Sequence, residues 1–261
     1  ISRFVGLPKV DPNPSYVKAP FVVKLREMEF DNAYSRTVMD RLAENFTRDE
    51  LSRSMELLRR GTVPTTAELE GTLGCIQWLA NSNYEMSFSP RAAMSERAIF
   101  PVSTNESKGI EDARFVSFSE EDGSRMYYAT YTAYNGRVIL PQLIETPDFT
   151  SFRVLTLNGK AISNKGMALF PRRIDGAYAM LSRQDDENIS IMFSGSLHYW
   201  NDSKVLLRPA EAWESVKMGN CGSPVETEAG WLVITHGVGP MRKYCIGAAL
   251  LDLNDPSRIL G

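Results

Sequence analysis

Apolar positions along this chain follow two periods, and the change between them falls near residue 83. Val38, Met39, Leu42 and Phe46 recur at helical spacing and lead to Thr47-Arg-Asp-Glu50, a Thr with a Glu three residues on, the form of a capping box. A second helix is predicted from there to Gly61. A further capping box, Thr65 to Glu68, precedes Leu69, Leu73, Ile76 and Leu79, which share one face of a third helix. From Tyr84 the period drops to two, because Tyr84, Met86 and Phe88 alternate with polar residues. Strands are predicted at Ala113 to Phe118, Met126 to Tyr134, Val138 to Ile144, Ala177 to Leu181, Ile189 to Phe193, Trp231 to Thr235 and Cys245 to Leu251, with turn residues between them. The expected organisation is a helical segment, residues 1–82, packed on an all-β unit, residues 83–261.

Three segments of the β unit share an outline: a polar loop with glycine, an apolar strand, then a second strand ending in polar residues. They open as Lys108-Gly-Ile-Glu-Asp-Ala-Arg-Phe115, Asn164-Lys-Gly-Met-Ala-Leu-Phe170 and Asn220-Cys-Gly-Ser-Pro-Val-Glu226. Asp112, Gly166 and Gly222 are then 54 and 56 residues apart. A near-constant period of this length suggests four-stranded propeller blades; a β-sandwich with chance spacing is the other arrangement that composition allows. Inner strands of a propeller converge on its axis, so loops at one repeat position share a funnel. Asp112, Lys165, Arg183 and His236, which have no obvious local partner, are the polar residues expected to meet there.

Composition narrows the function. The chain of 261 residues is 43% hydrophobic and 23% charged, enough for a sizeable core. A net charge of −3 leaves no basic excess for a phosphodiester backbone, so nucleic acid is not the expected partner. Cys75, Cys221 and Cys245 are too far apart for a paired metal motif and odd in number, so reduced structural thiols are expected. No apolar run approaches the roughly 20 residues that span a bilayer, and the expected location is cytoplasmic. Ile1 rather than Met opens the sequence, so an upstream leader is left open. No metal cluster, dinucleotide loop or nucleophile elbow is present in the sequence, so no cofactor is expected.

Six stretches in order carry a more specific signal. They are Gly109-Ile-Glu-Asp-Ala-Arg114, Tyr131-Thr-Ala-Tyr134, Lys165-Gly-Met-Ala-Leu-Phe-Pro171, Ala177-Tyr-Ala-Met-Leu-Ser-Arg183, Lys217-Met-Gly219 and Gly230-Trp-Leu-Val-Ile-Thr-His-Gly-Val238. With them the chain resembles glycoside hydrolase family 130, the mannoside phosphorylases and related mannosidases. The resemblance implies a five-bladed β-propeller with its site in the central funnel. A full ring at this period needs roughly 270 residues, so the chain is expected to be a fragment with its last blade beyond Gly261, and the helices to replace part of the usual first blade.

The resemblance also assigns roles. Asp112 is the proton donor, acting through a sugar hydroxyl, and inorganic phosphate is the co-substrate that attacks the anomeric carbon with inversion to give mannose 1-phosphate. Phosphate needs cationic donors rather than a base; Arg183, Lys217 and His236 match the family's phosphate positions, and Lys165 occupies a fourth. An anion is therefore expected between Arg183, Lys217 and His236, provided that no internal carboxylate pairs with them. Glu111 and Arg114 flank Asp112 as opposing influences. Arg114, Tyr134 and Asp185, the last in the polar run Gln184-Asp-Asp-Glu-Asn188, are placed where sugar hydroxyls are met. His198, among aromatics in Ser196-Leu-His-Tyr-Trp200, reads as a packed residue. The substrate expected is an oligosaccharide or disaccharide containing β-mannose, and a homo-oligomer is left open. Two other readings remain: an inverting β-mannosidase on the same fold with Glu226 as base, and a non-catalytic glycan-binding propeller.

Overall fold

The structure is a computed structural model that describes residues 5–62 and 64–261. Two short strands, β1 (Lys9–Val10) and β2 (Ser15–Val17), precede helices α1 (Lys18–Glu27) and α2 (Ala33–Asp40); β3 (Asn45–Thr47), α3 (Arg48–Gly61) and α4 (Ala67–Ser82) follow. The remainder is strand: β4 (Tyr84–Ser87), β5 (Ile110–Ser119), β6 (Arg125–Tyr134), β7 (Ile139–Thr146), β8 (Ser151–Thr156), β9 (Lys165–Leu169), β10 (Tyr178–Arg183), β11 (Ile189–Ser194), β12 (Lys204–Leu207), β13 (Lys217–Asn220), β14 (Val225–Thr227), β15 (Gly230–Val238) and β16 (Tyr244–Leu251).

The helical segment forms where its caps place it. Thr47 and Glu50 make a reciprocal capping box at the start of α3, with the Glu50 carboxylate accepting from the Thr47 N–H at 2.8 Å. Two expectations shift here. The cap of α4 is Thr66 rather than Thr65, its hydroxyl accepting from the Leu69 N–H at 3.1 Å. Phe46 lies on β3, not on a helix; α2 ends at Asp40 and the chain turns to pair β3 with β2. Its helical spacing from Val38 still serves packing, because both enter one core with Tyr16, Phe21, Leu69 and Ile76. The segment is fastened to the strands at α1, where the Lys24 ammonium donates to the Leu157 carbonyl at 2.8 Å and Glu27 accepts from the Gly159 N–H. Gly159 has φ of +106°, and a Cβ there would run into the Trp200 carbonyl, so only glycine fits this junction.

Apart from the β2–β3 pair, the strands among the described residues build three antiparallel sheets in series. In the first, the order is β1-β4-β8-β7-β6-β5, so residues 9–10 of the N-terminal segment join the β unit; in the second, it is β12-β11-β10-β9. In the third, β15 is central, with β13 and β14 along one edge and β16 along the other. The middle sheet shows why the stack holds together: Tyr178 and Met180 of β10 enter a core shared with Phe118, Leu143 and Trp200, while the intervening Ala179 and Leu181 enter a core with Trp231 and Val233. Period two delivers alternate residues to two cores, and β10 is buried along its whole length. The edge strands β5, β9 and β13 open at Ile110, Lys165 and Lys217. The third repeat thus begins at Lys217, and Gly222 lies in the connection after β13, correcting the register expected from Asn220-Cys-Gly. What the architecture establishes is a mostly-β, propeller-type succession of sheets with, among the described residues, four α-helices at its N-terminal side.

Candidate active site

Asp112 sits on a break in β5. Glu111 pairs with Thr132 and Arg114 with Thr130, so one extra residue bulges out of the ladder. Asp112 itself has φ of +59°, a left-handed conformation that Asp tolerates better than most residues. The bulge re-aims side chains: the Arg114 guanidinium faces Asp112, whereas Glu111 turns away to accept from the Lys165 ammonium at 3.1 Å. Asp112 borders a cavity of about 510 Å³ whose other walls include Arg97, Phe115, Tyr131 and Phe149.

Cations reach Asp112 from the other two sheets. Arg183 closes β10, Lys217 opens β13, and His236 lies on β15 directly across from Gly219. A Cβ at Gly219 would lie 2.8 Å from His236 Cε1 and 2.9 Å from both His236 Nε2 and Arg183 Nη1. The imidazole edge and the guanidinium therefore share the space above a bare glycine. Burial lowers the His236 pKa, Arg183 and Arg114 lower it further, Asp112 opposes them, and Lys217 adds to the lowering. Arg114 is also pulled down by burial and by Arg183, against Asp112. Arg114 Nη1 and Arg183 Nε are buried without a hydrogen-bond acceptor. Unused cationic donors packed this closely attract an anion.

That anion position is not wholly free. Asp186 places one carboxylate oxygen 3.3 Å from Arg183 Nη2 and the other 2.9 Å from Lys217 Nζ. The expectation that Arg183 and Lys217 lack an internal carboxylate is thus corrected. Asp186 is half exposed and has φ of +61°, at the tip of the β10–β11 turn, where it reaches back over the ends of β10 and β13. His236 has no carboxylate at ion-pair distance among the described residues.

Other candidates fall elsewhere. Asp185 works for the turn: burial pushes its pKa up, but hydrogen bonds from Asn188 and Glu187 outweigh that and lower it, with Asn188 and Glu187 N–H groups at 2.8 and 2.9 Å. Its carboxylate is occupied, and the neighbouring Asp186 meets the cations. Glu226 lies on β14, beside Trp231 at the far end of β15 from His236. The Arg172 fork donates to it at 2.6 and 2.9 Å, which lowers its pKa, and Arg172 stacks on Trp231. Glu226 is therefore not among the groups gathered around Asp112. Tyr134 ends β6 with an exposed ring. Lys165 begins β9, held by Glu111 beside the small pocket of Asp112, Thr130 and Gly166. His198 packs outside the site, its Nε2 3.5 Å from Glu145; burial lowers the His198 pKa and raises that of Glu145, so both are driven towards neutrality.

Residues 82–261 match the glycoside hydrolase family 130 model, described as β-1,4-mannooligosaccharide phosphorylase. The chain is similar to a 1,2-β-oligomannan phosphorylase of a Thermoanaerobacter species, 37% identical over 169 residues covering 61% of this chain and 54% of the relative. It is also similar to a β-1,2-mannobiose phosphorylase of Listeria innocua, 33% identical over 169 residues, 62% of this chain and 46% of the relative. The chain spans about half the length of these curated relatives. Among solved structures it is similar to the Listeria innocua β-1,2-mannobiose phosphorylase in complex with β-1,2-mannobiose, with a TM-score of 0.55 and 28% identity over 68% of this chain and 51% of that one. A Parabacteroides distasonis structure titled a putative glycoside hydrolase has a TM-score of 0.54 at 20% identity, over 69% of this chain and 62% of that one, a likeness of fold alone.

Proposed function

Because this chain belongs to glycoside hydrolase family 130, we propose that its site cleaves a β-mannoside by phosphorolysis, with inversion, to give mannose 1-phosphate. The observation that carries the reading is the meeting of one carboxylate from the first sheet, Asp112, with Arg114, Arg183, Lys217 and His236 from all three. Phosphate oxygen forms a bond to the anomeric carbon as the bond to the leaving sugar oxygen breaks, and the Asp112 proton passes to that oxygen, by way of a sugar hydroxyl. The guanidinium, ammonium and imidazole donors hold the phosphate on the attacking face, which supplies orientation without a general base. Phosphate takes the contacts that Asp186 now makes with Arg183 and Lys217; a half-exposed side chain on a turn can swing aside. Two relatives are named for β-1,2-linked mannosides, so β-1,2-mannobiose is the first substrate to try.

Hydrolysis is the second reading, and Asp186 is the observation in its favour. A carboxylate already seated on the cations leaves less need for phosphate and is placed to act on water, a role that Glu226, tied to Arg172, is not placed to take. Incubation with β-1,2-mannobiose with and without phosphate separates the two: phosphorolysis yields mannose 1-phosphate only with phosphate, hydrolysis yields mannose regardless. The ring is proposed to be five-bladed, with the exposed Ile234, Tyr244 and Ile246 of the third sheet as a face suited to a neighbouring blade.

A further inference from the structure

Cys221 follows β13 immediately, and its Sγ lies 3.7 Å from His236 Nδ1. The other ring nitrogen, Nε2, lies over Gly219 together with Arg183 Nη1. A neutral imidazole carries one N–H, so these two neighbours compete over its position. Arg183 only donates, and acting alone it favours a lone pair on Nε2. A thiol S–H at Nδ1 favours the lone pair there and the proton on Nε2. We propose that Cys221 is a positioning residue that holds His236 in the Nε2–H tautomer, so that the imidazole presents a donor, not an acceptor, to an oxyanion bound at Arg183 and Lys217.

The electrostatics agree with a thiol beside a neutral ring. Burial raises the Cys221 pKa, with Arg114 pulling the other way. Burial lowers that of His236, followed by Arg183 and Arg114, with Asp112 opposing and Lys217 lowering. Four charged groups thus face the ring, three of them cations, which disfavours an imidazolium as the donor. A neutral ring can still donate to phosphate, but only if the proton is on the correct nitrogen. The thiol supplies that selection from the Nδ1 edge of the ring. Sequence alone does not reveal this pairing, since Cys221, just past β13, meets His236 of β15 only when β13 and β15 adopt their register.

The tautomer rests on these contacts alone; its consequence for phosphate rests on the phosphorolytic reading. The chain has two histidines, so a protein labelled with ¹⁵N-histidine gives two sets of ring signals, and His198→Gln identifies those of His236. Long-range ¹H–¹⁵N correlation is expected to show a protonated Nε2 and a bare Nδ1 at neutral pH. Cys221→Ala is expected to move the proton towards Nδ1, and Cys221→Ser, which keeps a donor, to restore the original pattern. In kinetics, Cys221→Ala should raise the apparent KM for inorganic phosphate about 10-fold while kcat stays within about two-fold, since one donor to a bound anion is lost. A protonated Nδ1 in the wild type, or an unchanged tautomer in Cys221→Ala, overturns the proposal. A switched tautomer with an unmoved phosphate KM rejects the donor role. A wild type with no phosphate dependence rejects phosphorolysis itself while the tautomer remains readable.

Discussion

Gly219→Ala tests whether the shared space above β13 is needed for the site. Gly219 is outside the left-handed region, so alanine suits the main chain and stabilises by roughly 0.4–1 kcal/mol through the unfolded state. Its methyl group would lie 2.8 Å from His236 Cε1 and 2.9 Å from His236 Nε2 and Arg183 Nη1. Comfortable contact begins near 3.5 Å, so the imidazole and guanidinium must each withdraw by about 0.6 Å. Overpacking of this kind costs about 1–3 kcal/mol. The net loss of stability, up to about 2.5 kcal/mol, lowers Tm by at most about 10 °C in a chain of this size. Misplacement of an aligned group by 1 Å costs about 100-fold, so a shift of 0.6 Å in two donors together should lower kcat/KM for phosphate by about 10- to 100-fold. The assay is initial rate against phosphate concentration at fixed β-mannobiose, at a temperature well below Tm, with Gly74→Ala as control. Gly74 is inside α4 with open space around its Cα, so that change should raise stability by up to about 1 kcal/mol and leave the rate alone. Wild-type phosphate kinetics in Gly219→Ala with an undisturbed Tm would refute the claim that His236 and Arg183 act from this position.

Asp112→Asn keeps the shape and the left-handed backbone preference but removes the proton, so turnover should fall by at least about 100-fold with Tm unchanged; a milder loss would remove Asp112 as the acid. Lys217→Ala deletes one charge-assisted contact and frees Asp186 from one of its two cations; the apparent KM for phosphate should rise about 10- to 150-fold, and an unmoved KM would place phosphate elsewhere. Stability should fall as the pH drops below about 7, because the partly buried His198 and His236 have pKa values lowered from the usual histidine value of about 6.5, so the unfolded chain takes up protons that the folded chain refuses. Glu145, raised by burial, acts in the opposite sense above about pH 4.5. Thermal melts of His198→Gln should show a flatter slope over that range, and an equal slope would contradict the assignment.

The sequence was most legible where packing obeys a simple period. Alternation from Tyr84 to Phe88 marked β4, and the apolar runs at 126–134 and 245–251 marked β6 and β16; β4 and β6 fill a core, whereas β16 buries only Ala249 and Leu251 at its end. Short strands such as β2, β3 and β12 to β14 were invisible, since their three or four residues carry no clear apolar alternation and their pairing is set by neighbours. The site shows the same division. Residues in motifs, Asp112, Arg183, Lys217 and His236, were found as residues, but which carboxylate faces which cation depends on turn geometry. Asp185 and Asp186 are adjacent and alike in sequence; a left-handed φ at Asp186 sends one to the turn's amides and the other to Arg183 and Lys217. Glu226 had a plausible motif and the wrong end of a strand, which only the register of β14 against β15 reveals. Gly219 and Cys221 carried a signal only in hindsight of that register, as a small residue opposite a histidine and a thiol two positions beyond it.

The most direct test of the central claim is the phosphate requirement of β-1,2-mannobiose cleavage by the wild-type protein, with both products identified. The account predicts a rate that rises from near zero and saturates with inorganic phosphate, releasing mannose and mannose 1-phosphate in equal amounts. A rate independent of phosphate, with mannose as the only product, would contradict it and turn attention to Asp186 as the group that handles water.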